Sequence, residues 1–219
     1  MKISLTDAGK RFNRDWIFRH FNYTFEAGQS YAITGPNGSG KSTLLQALSG
    51  GMYINEGKIE YTKSEVRSQK ESSNEKSSNG QLTTDNIYSH VSICAPYLEV
   101  VEEMTLREFL DFHHGFKPFL SDVTTDSIIT TLGLEKAINK QLRNYSSGMK
   151  QRVKLAQCFF SDTAIVLLDE PCTNLDSDGI QLYHSLINQY CKERLVVVSS
   201  NDVVEYEFCE KRINVGDYK

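Results

Sequence analysis

No long apolar run occurs in this sequence. The purely aliphatic stretches Ala164 to Leu168 and Leu195 to Val198 span five and four residues, far short of the ~18 that a bilayer helix needs. Any work at a membrane therefore requires another chain for the crossing. A dense basic block is missing too. The 24 Lys and Arg against 28 Asp and Glu give a net charge of −4, and nothing clusters to track a phosphate backbone, which argues against nucleic acid as a partner. Cysteine is sparse and scattered. Cys94, Cys158, Cys172, Cys191 and Cys209 are odd in number with no pair at CxxC spacing, so reduced and mostly buried thiols are expected rather than disulfides or a zinc site. No internal repeat is present. The start, Met1 to Asp7, reaches an acid before any apolar stretch builds up, so no secretory signal and a cytoplasmic location are expected.

What remains is an ordinary globular composition. With 219 residues, 39% apolar and 24% charged, the chain suits one domain or a domain with a subdomain. From Thr62 to Asn86 only Val66 and Leu82 are apolar, and four positive charges cancel four negative ones. Such a segment cannot offset its ordering entropy by burial, and a mobile insertion between two strands is expected over 62–86. Around it, strands and helices alternate. Tyr31 to Thr34 reads as a strand, and Thr43 to Leu48 as a helix. Ala164 to Leu168 and Leu195 to Val198 read as buried strands, joined by a helix whose apolar face is Leu182, Tyr183, Leu186, Ile187 and Tyr190. This pattern predicts an α/β fold with a mainly parallel sheet covered on both sides, and a ligand beyond the carboxyl ends of its strands.

Gly35-Pro36-Asn37-Gly38-Ser39-Gly40-Lys41-Ser42 matches GxxxxGK[ST] in full, the spacing of a phosphate-binding P-loop. Small residues let the backbone curl so that successive N–H groups face a polyphosphate, and the next helix adds its positive end. Lys41 would meet the β- and γ-phosphates, Ser42 would offer a hydroxyl to Mg²⁺, and Thr43 would contact the phosphates through its side chain and N–H. Asp169 and Glu170 stand together where the buried strand stops at Pro171. Neighbours at a strand end point in different directions, so Asp169 can hold Mg²⁺ while Glu170 orients or deprotonates an attacking water.

With these residues in view, the chain resembles the nucleotide-binding domain of an ATP-binding-cassette (ABC) transporter over essentially its whole length. Tyr145-Ser146-Ser147-Gly148-Met149-Lys150-Gln151-Arg152 is similar to the family's LSGGQ signature in its YSGGMKQR form, with Ser146 and Gly148 matching and Ser147 replacing a glycine. After it, Met149, Val153, Ala156 and Phe160 supply a buried helix face. The resemblance implies a P-loop NTPase of the ABC ATPase fold, with an N-terminal antiparallel β part, core segments at 1–95 and 150–219, and a helical subdomain at about 97–149 that touches a membrane partner. It implies ATP and Mg²⁺ as cofactors, an integral membrane transporter subunit as partner, and a second cassette, identical or not, whose signature completes each ATP site. Phe12 lies where the family stacks an aromatic residue on adenine, although by itself it could equally be core. Asn174-Leu175-Asp176 resembles the loop that crosses the dimer interface.

Two family residues are absent. Asn201 stands where the family has a histidine, and Pro96 or Tyr97 where it has a glutamine near the start of the helical subdomain. An asparagine amide can hydrogen-bond a γ-phosphate but cannot carry charge or shuttle a proton, so binding should survive better than turnover. The expected function is a transport-coupled ATPase. The alternative is a non-transport, ATP-gated clamp or regulator with weak hydrolysis. A P-loop kinase shares Lys41 and Ser42 but gives no reason for the 146–152 segment.

Overall fold

The computed structural model describes residues 1–63, 81–82 and 87–219. Its elements form two sheets. Strands β1 (Lys2–Phe12), β2 (Asp15–Glu26), β4 (Glu56–Thr62) and β5 (Gln81–Leu82) make an antiparallel sheet in the order β2-β1-β4-β5. Strands β3 (Ser30–Thr34), β6 (Val91–Cys94), β7 (Ile165–Asp169), β8 (Leu195–Ser199) and β9 (Lys211–Asn214) make a parallel sheet in the order β6-β7-β8-β3-β9.

The period-two alternation of side chains explains why the central strands read as continuous apolar runs. On β7, Ile165 and Leu167 join a core with β1, β2 and helix α1 (Lys41–Leu48). Val166 and Leu168 enter the opposite core, built with α2 (Leu106–Phe116), α3 (Thr125–Leu132), α4 (Ser147–Phe160) and α5 (Ser177–Tyr190). β8 divides likewise, Leu195 and Val197 against Val196 and Val198. Truncating Leu167, fully buried, to alanine should cost about 2–5 kcal/mol.

The expected parallel sheet with both faces covered is present. The insertion expected at 62–86 needs correcting at its edges: Thr62 ends β4, and Gln81–Leu82 pair with Thr62 and Tyr61. Backbone hydrogen bonding to a neighbouring strand holds these positions in the sheet; residues 64–80 and 83–86 lie outside those described. The 97–149 region contains α2 and α3, each opened by a threonine-based capping box at Thr105 and Thr124. α4 runs unbroken from Ser147 to Phe160 across the expected boundary between Met149 and Lys150. All five cysteines are free thiols, Cys172 half-buried and the others buried. No helix among the described residues is long and apolar enough to cross a membrane.

In a parallel sheet all carboxyl ends fall on one edge. The segments after β3, β6, β7 and β8 therefore gather there, bringing together residues far apart in sequence.

Candidate functional site

The turn after β3 is glycine-built because its backbone needs it. Gly35, Gly38 and Gly40 have φ of 140°, 78° and 106°, a region closed to most side chains. At Gly40 a Cβ would also stand 2.2 Å from Ile17 Cγ2. The loop closes with Ser39 N–H donating to Pro36 O at 3.0 Å. Gly40 then starts α1 without a side-chain cap, and the first turn holds no acid, leaving the orphan N–H groups and positive dipole end for an anion. The buried Lys41 curls back over the loop, its Nζ donating to Gly35 O at 2.8 Å and Pro36 O at 3.5 Å.

Glu170 reaches this loop across the sheet. A cleft of about 280 Å³ is lined by Gly38, Lys41, Ser42, Thr43 and Glu170, so the phosphate loop and the candidate base share one space. Asp169 is buried and its Oδ1 has no hydrogen-bond partner among the described residues; nor has the buried Ser39 Oγ. A buried carboxylate oxygen without a donor is costly. A divalent cation would satisfy it, so these residues fit Mg²⁺-nucleotide. Glu170 itself is exposed, with φ 44°, and its N–H donates to Ser199 O at 2.9 Å. A left-handed φ in a non-glycine residue costs of order 1–3 kcal/mol and must be held by its surroundings.

Asn201 sits on the phosphate loop. Its Oδ1 accepts from Gly35 N–H at 3.3 Å and its Nδ2 donates to Asn37 Oδ1 at 3.2 Å. Tyr97, half-exposed, hydrogen-bonds the Gln46 side chain of α1 and feels the Asp169 charge; partial burial raises its phenol pKa. A phenol thus occupies the region where the family glutamine was expected. Phe12 is exposed at 46%, which removes the core alternative, and the Lys10 ammonium lies 5.0 Å from its ring centre.

Ser146 and Gly148 are not brought to the phosphate loop. They line a separate hollow of about 430 Å³ with Lys136, Arg152 and Asn174. Ser146 caps α4, its Oγ accepting from Met149 N–H at 3.2 Å. Gly148 packs so closely that a Cβ would meet Asn174 O at 2.9 Å. Sequence reasoning missed Gln46, Gln151 and Glu205. Gln151 sits inside the signature itself, and its polarity on a helix with an apolar face was the one readable hint.

Comparison with known proteins bears on the family and the fold. Residues 18–173 match the sequence profile of the family described as ABC transporter. The chain is 29% identical over 202 residues to the Bacillus subtilis (strain 168) protein "Uncharacterized ABC transporter ATP-binding protein YybJ", covering 90% of this chain and 83% of that one. Among solved structures, one titled as the ATP binding subunit of an ABC transporter superposes with TM-score 0.78 at 21% identity, covering 99% of this chain and 87% of that one. The dimeric structure of MJ0796, a bacterial ABC transporter cassette, gives TM-score 0.73 at 20% identity, covering 98% and 95%. At these identities the solved structures speak for the fold.

Proposed function

This chain belongs to the ABC transporter family, and from that membership we propose that it is the ATP-binding and ATP-hydrolysing subunit powering a transporter whose membrane-spanning part is another polypeptide. Two cassettes, identical or not, close head to tail on ATP and reopen after hydrolysis. The 97–149 region meets the membrane subunit, which keeps the chain at the cytoplasmic face.

The observation that carries this reading is the cleft uniting Lys41, Ser42 and Glu170 beside a buried, unpartnered Asp169 oxygen. When bound, Mg²⁺-ATP supplies the phosphoryl group for transfer and the cation that offsets its charge. The loop N–H groups and Lys41 bind the phosphates, with Thr43 at their side. Ser42 and Asp169 hold the metal. Glu170 orients the attacking water and accepts its proton. Phe12 stacks on the base, and Asn201 hydrogen-bonds the terminal phosphate without moving a proton. Ser146 and Gly148 of the second cassette complete the pocket.

Glu170→Gln should retain ATP binding, stabilise the closed dimer and lower hydrolysis by about 100-fold or more, whereas Lys41→Ala should lose nucleotide binding in calorimetry. Unchanged turnover in the glutamine variant would remove Glu170 from the mechanism. Asn201 on the phosphate loop and Tyr97 at the glutamine position favour a second reading, a slow ATP-gated clamp. Copurification with a polytopic membrane protein selects the first reading, and its failure the second.

A further inference from the structure

Glu170 opens a β-turn: Thr173 N–H donates to Glu170 O at 3.2 Å, with Pro171 in the second position. The central peptide of such a turn, here the bond from Pro171 to Cys172, is the unit that rotates when turn types interconvert. Both of its polar ends are held by side chains from other elements. Gln151 Nε2, on α4, donates to Pro171 O at 2.7 Å. Glu205 Oε1, on α6 (Val203–Tyr206), accepts from Cys172 N–H at 2.6 Å. Both side chains are more than nine-tenths buried. Rotating the peptide would break both bonds and leave two buried polar groups unpaired.

We infer that Gln151 and Glu205 are positioning residues for Glu170, locking the peptide unit that follows it so that its carboxylate stays aimed into the phosphate cleft. The inference rests on the proposed role of Glu170 as base. Neither residue lines that cleft; Gln151 shares its helix with a signature residue, and Glu205 lies on the short helix that follows Asn201. Gln151 stands three residues after Gly148 on α4, and Glu205 four after Asn201. The locked peptide therefore joins the candidate base to the signature helix and to the segment resting on the phosphate loop. It also fixes where the chain leaves the turn for Asn174, whose carbonyl lies against Gly148.

The first readout needs no nucleotide. Amide exchange at Cys172 should be slow in the wild type, accelerate about tenfold or more in Glu205→Ala, and stay slow in Glu205→Gln, which keeps an acceptor oxygen in place. The second is kinetic. Gln151→Ala and Glu205→Ala should lower kcat by about 10- to 100-fold, with ATP affinity and KM changed by less than about threefold. Glu205→Gln should recover most of the loss. The double alanine variant should be little worse than the weaker single one, since both act through one peptide unit. Melting curves check that the variants fold, and the near-isosteric glutamine variant keeps the test open where an alanine does not. Wild-type exchange at Cys172 in Glu205→Ala overturns the inference, as does unchanged kcat in both alanine variants while Glu170→Gln is inactive. Retained turnover in Glu170→Gln instead overturns the assignment of the base, whatever the exchange data give.

Discussion

A methyl group on Gly148 would stand 2.9 Å from the Asn174 carbonyl oxygen, nearer than carbon and oxygen tolerate. Alanine gains up to about 1 kcal/mol over glycine in a helix interior, and less in the first turn, where Gly148 lies. Overpacking costs about 1–3 kcal/mol, and a backbone neighbour cannot swing aside. Gly148→Ala should therefore lower stability, by about 1–2 kcal/mol in urea denaturation; a stabilised variant would show that the Asn174 turn yields easily. Glu205 makes a pH prediction. Burial, reinforced by Asp202 and Glu170, raises its pKa above 4.5, against hydrogen bonds from Ser200 and the Cys172 N–H. The folded chain then holds a proton that the unfolded chain has already released, so this group's contribution to stability falls as pH rises from 4.5 through the raised value. Relative to wild type, Glu205→Gln should gain stability across that interval, measured as the difference in denaturation midpoint between about pH 4.5 and pH 8. A constant difference would clear the carboxylate. The phosphate loop and the Asp169-Glu170 pair were legible because their chemistry is contiguous. Gln151 and Glu205 were not, since their partners lie 20 and 33 residues away.

Elements were legible in proportion to how completely they are buried. β7 and β8 are buried at every position, so their sequences are unbroken apolar runs. β1 and β2 are half-buried, and their alternation is interrupted at Asp7 and His20, which adopt φ of 49° and 53° at register shifts. No residue-level pattern survives such bulges, and this sheet was expected only from the family resemblance. α2 went unread because its contacts with α4 and with Ser161, just after that helix, are partly polar. His113 Nε2 lies 2.8 Å from Ser161 Oγ, and its Nδ1 lies 3.1 Å from Gln157 Nε2. Burial, with Lys117 and His114 nearby, lowers the His113 pKa to about 4. The imidazole is thus held neutral in the folded protein, while the unfolded chain takes up a proton near 6.5. Its stabilising contribution is complete above that value and is lost as pH falls towards about 4. His113→Asn should be less stable than wild type at neutral pH and should flatten the loss of stability over that acid range. Chemical denaturation at a series of pH values measures both effects, and an unchanged acid slope would assign the sensitivity to other groups.

For the molecule as a whole, the phosphate cleft and the signature hollow share no lining residue. Each is half of a pocket if cassettes pair head to tail, and the pairing can be tested by complementation. A Lys41→Ala chain lacks a working phosphate loop but keeps its signature. In Ser147→Arg the guanidinium would fill the signature hollow, because Ser147 is exposed and lines it, while the Ser146 cap and the phosphate loop remain. Neither variant alone should hydrolyse ATP, since every pocket of either homodimer has one defective half. In a mixed dimer one pocket draws its phosphate loop from the arginine chain and its signature from the alanine chain, so it is intact, and the other is doubly defective. Equal mixing makes half of the dimers mixed, so about a quarter of the wild-type pockets should return. Hydrolysis by the mixture should rise accordingly above the sum of its parts, whereas activity no greater than that sum would mean that each pocket is completed within one chain, or by a partner other than a second copy.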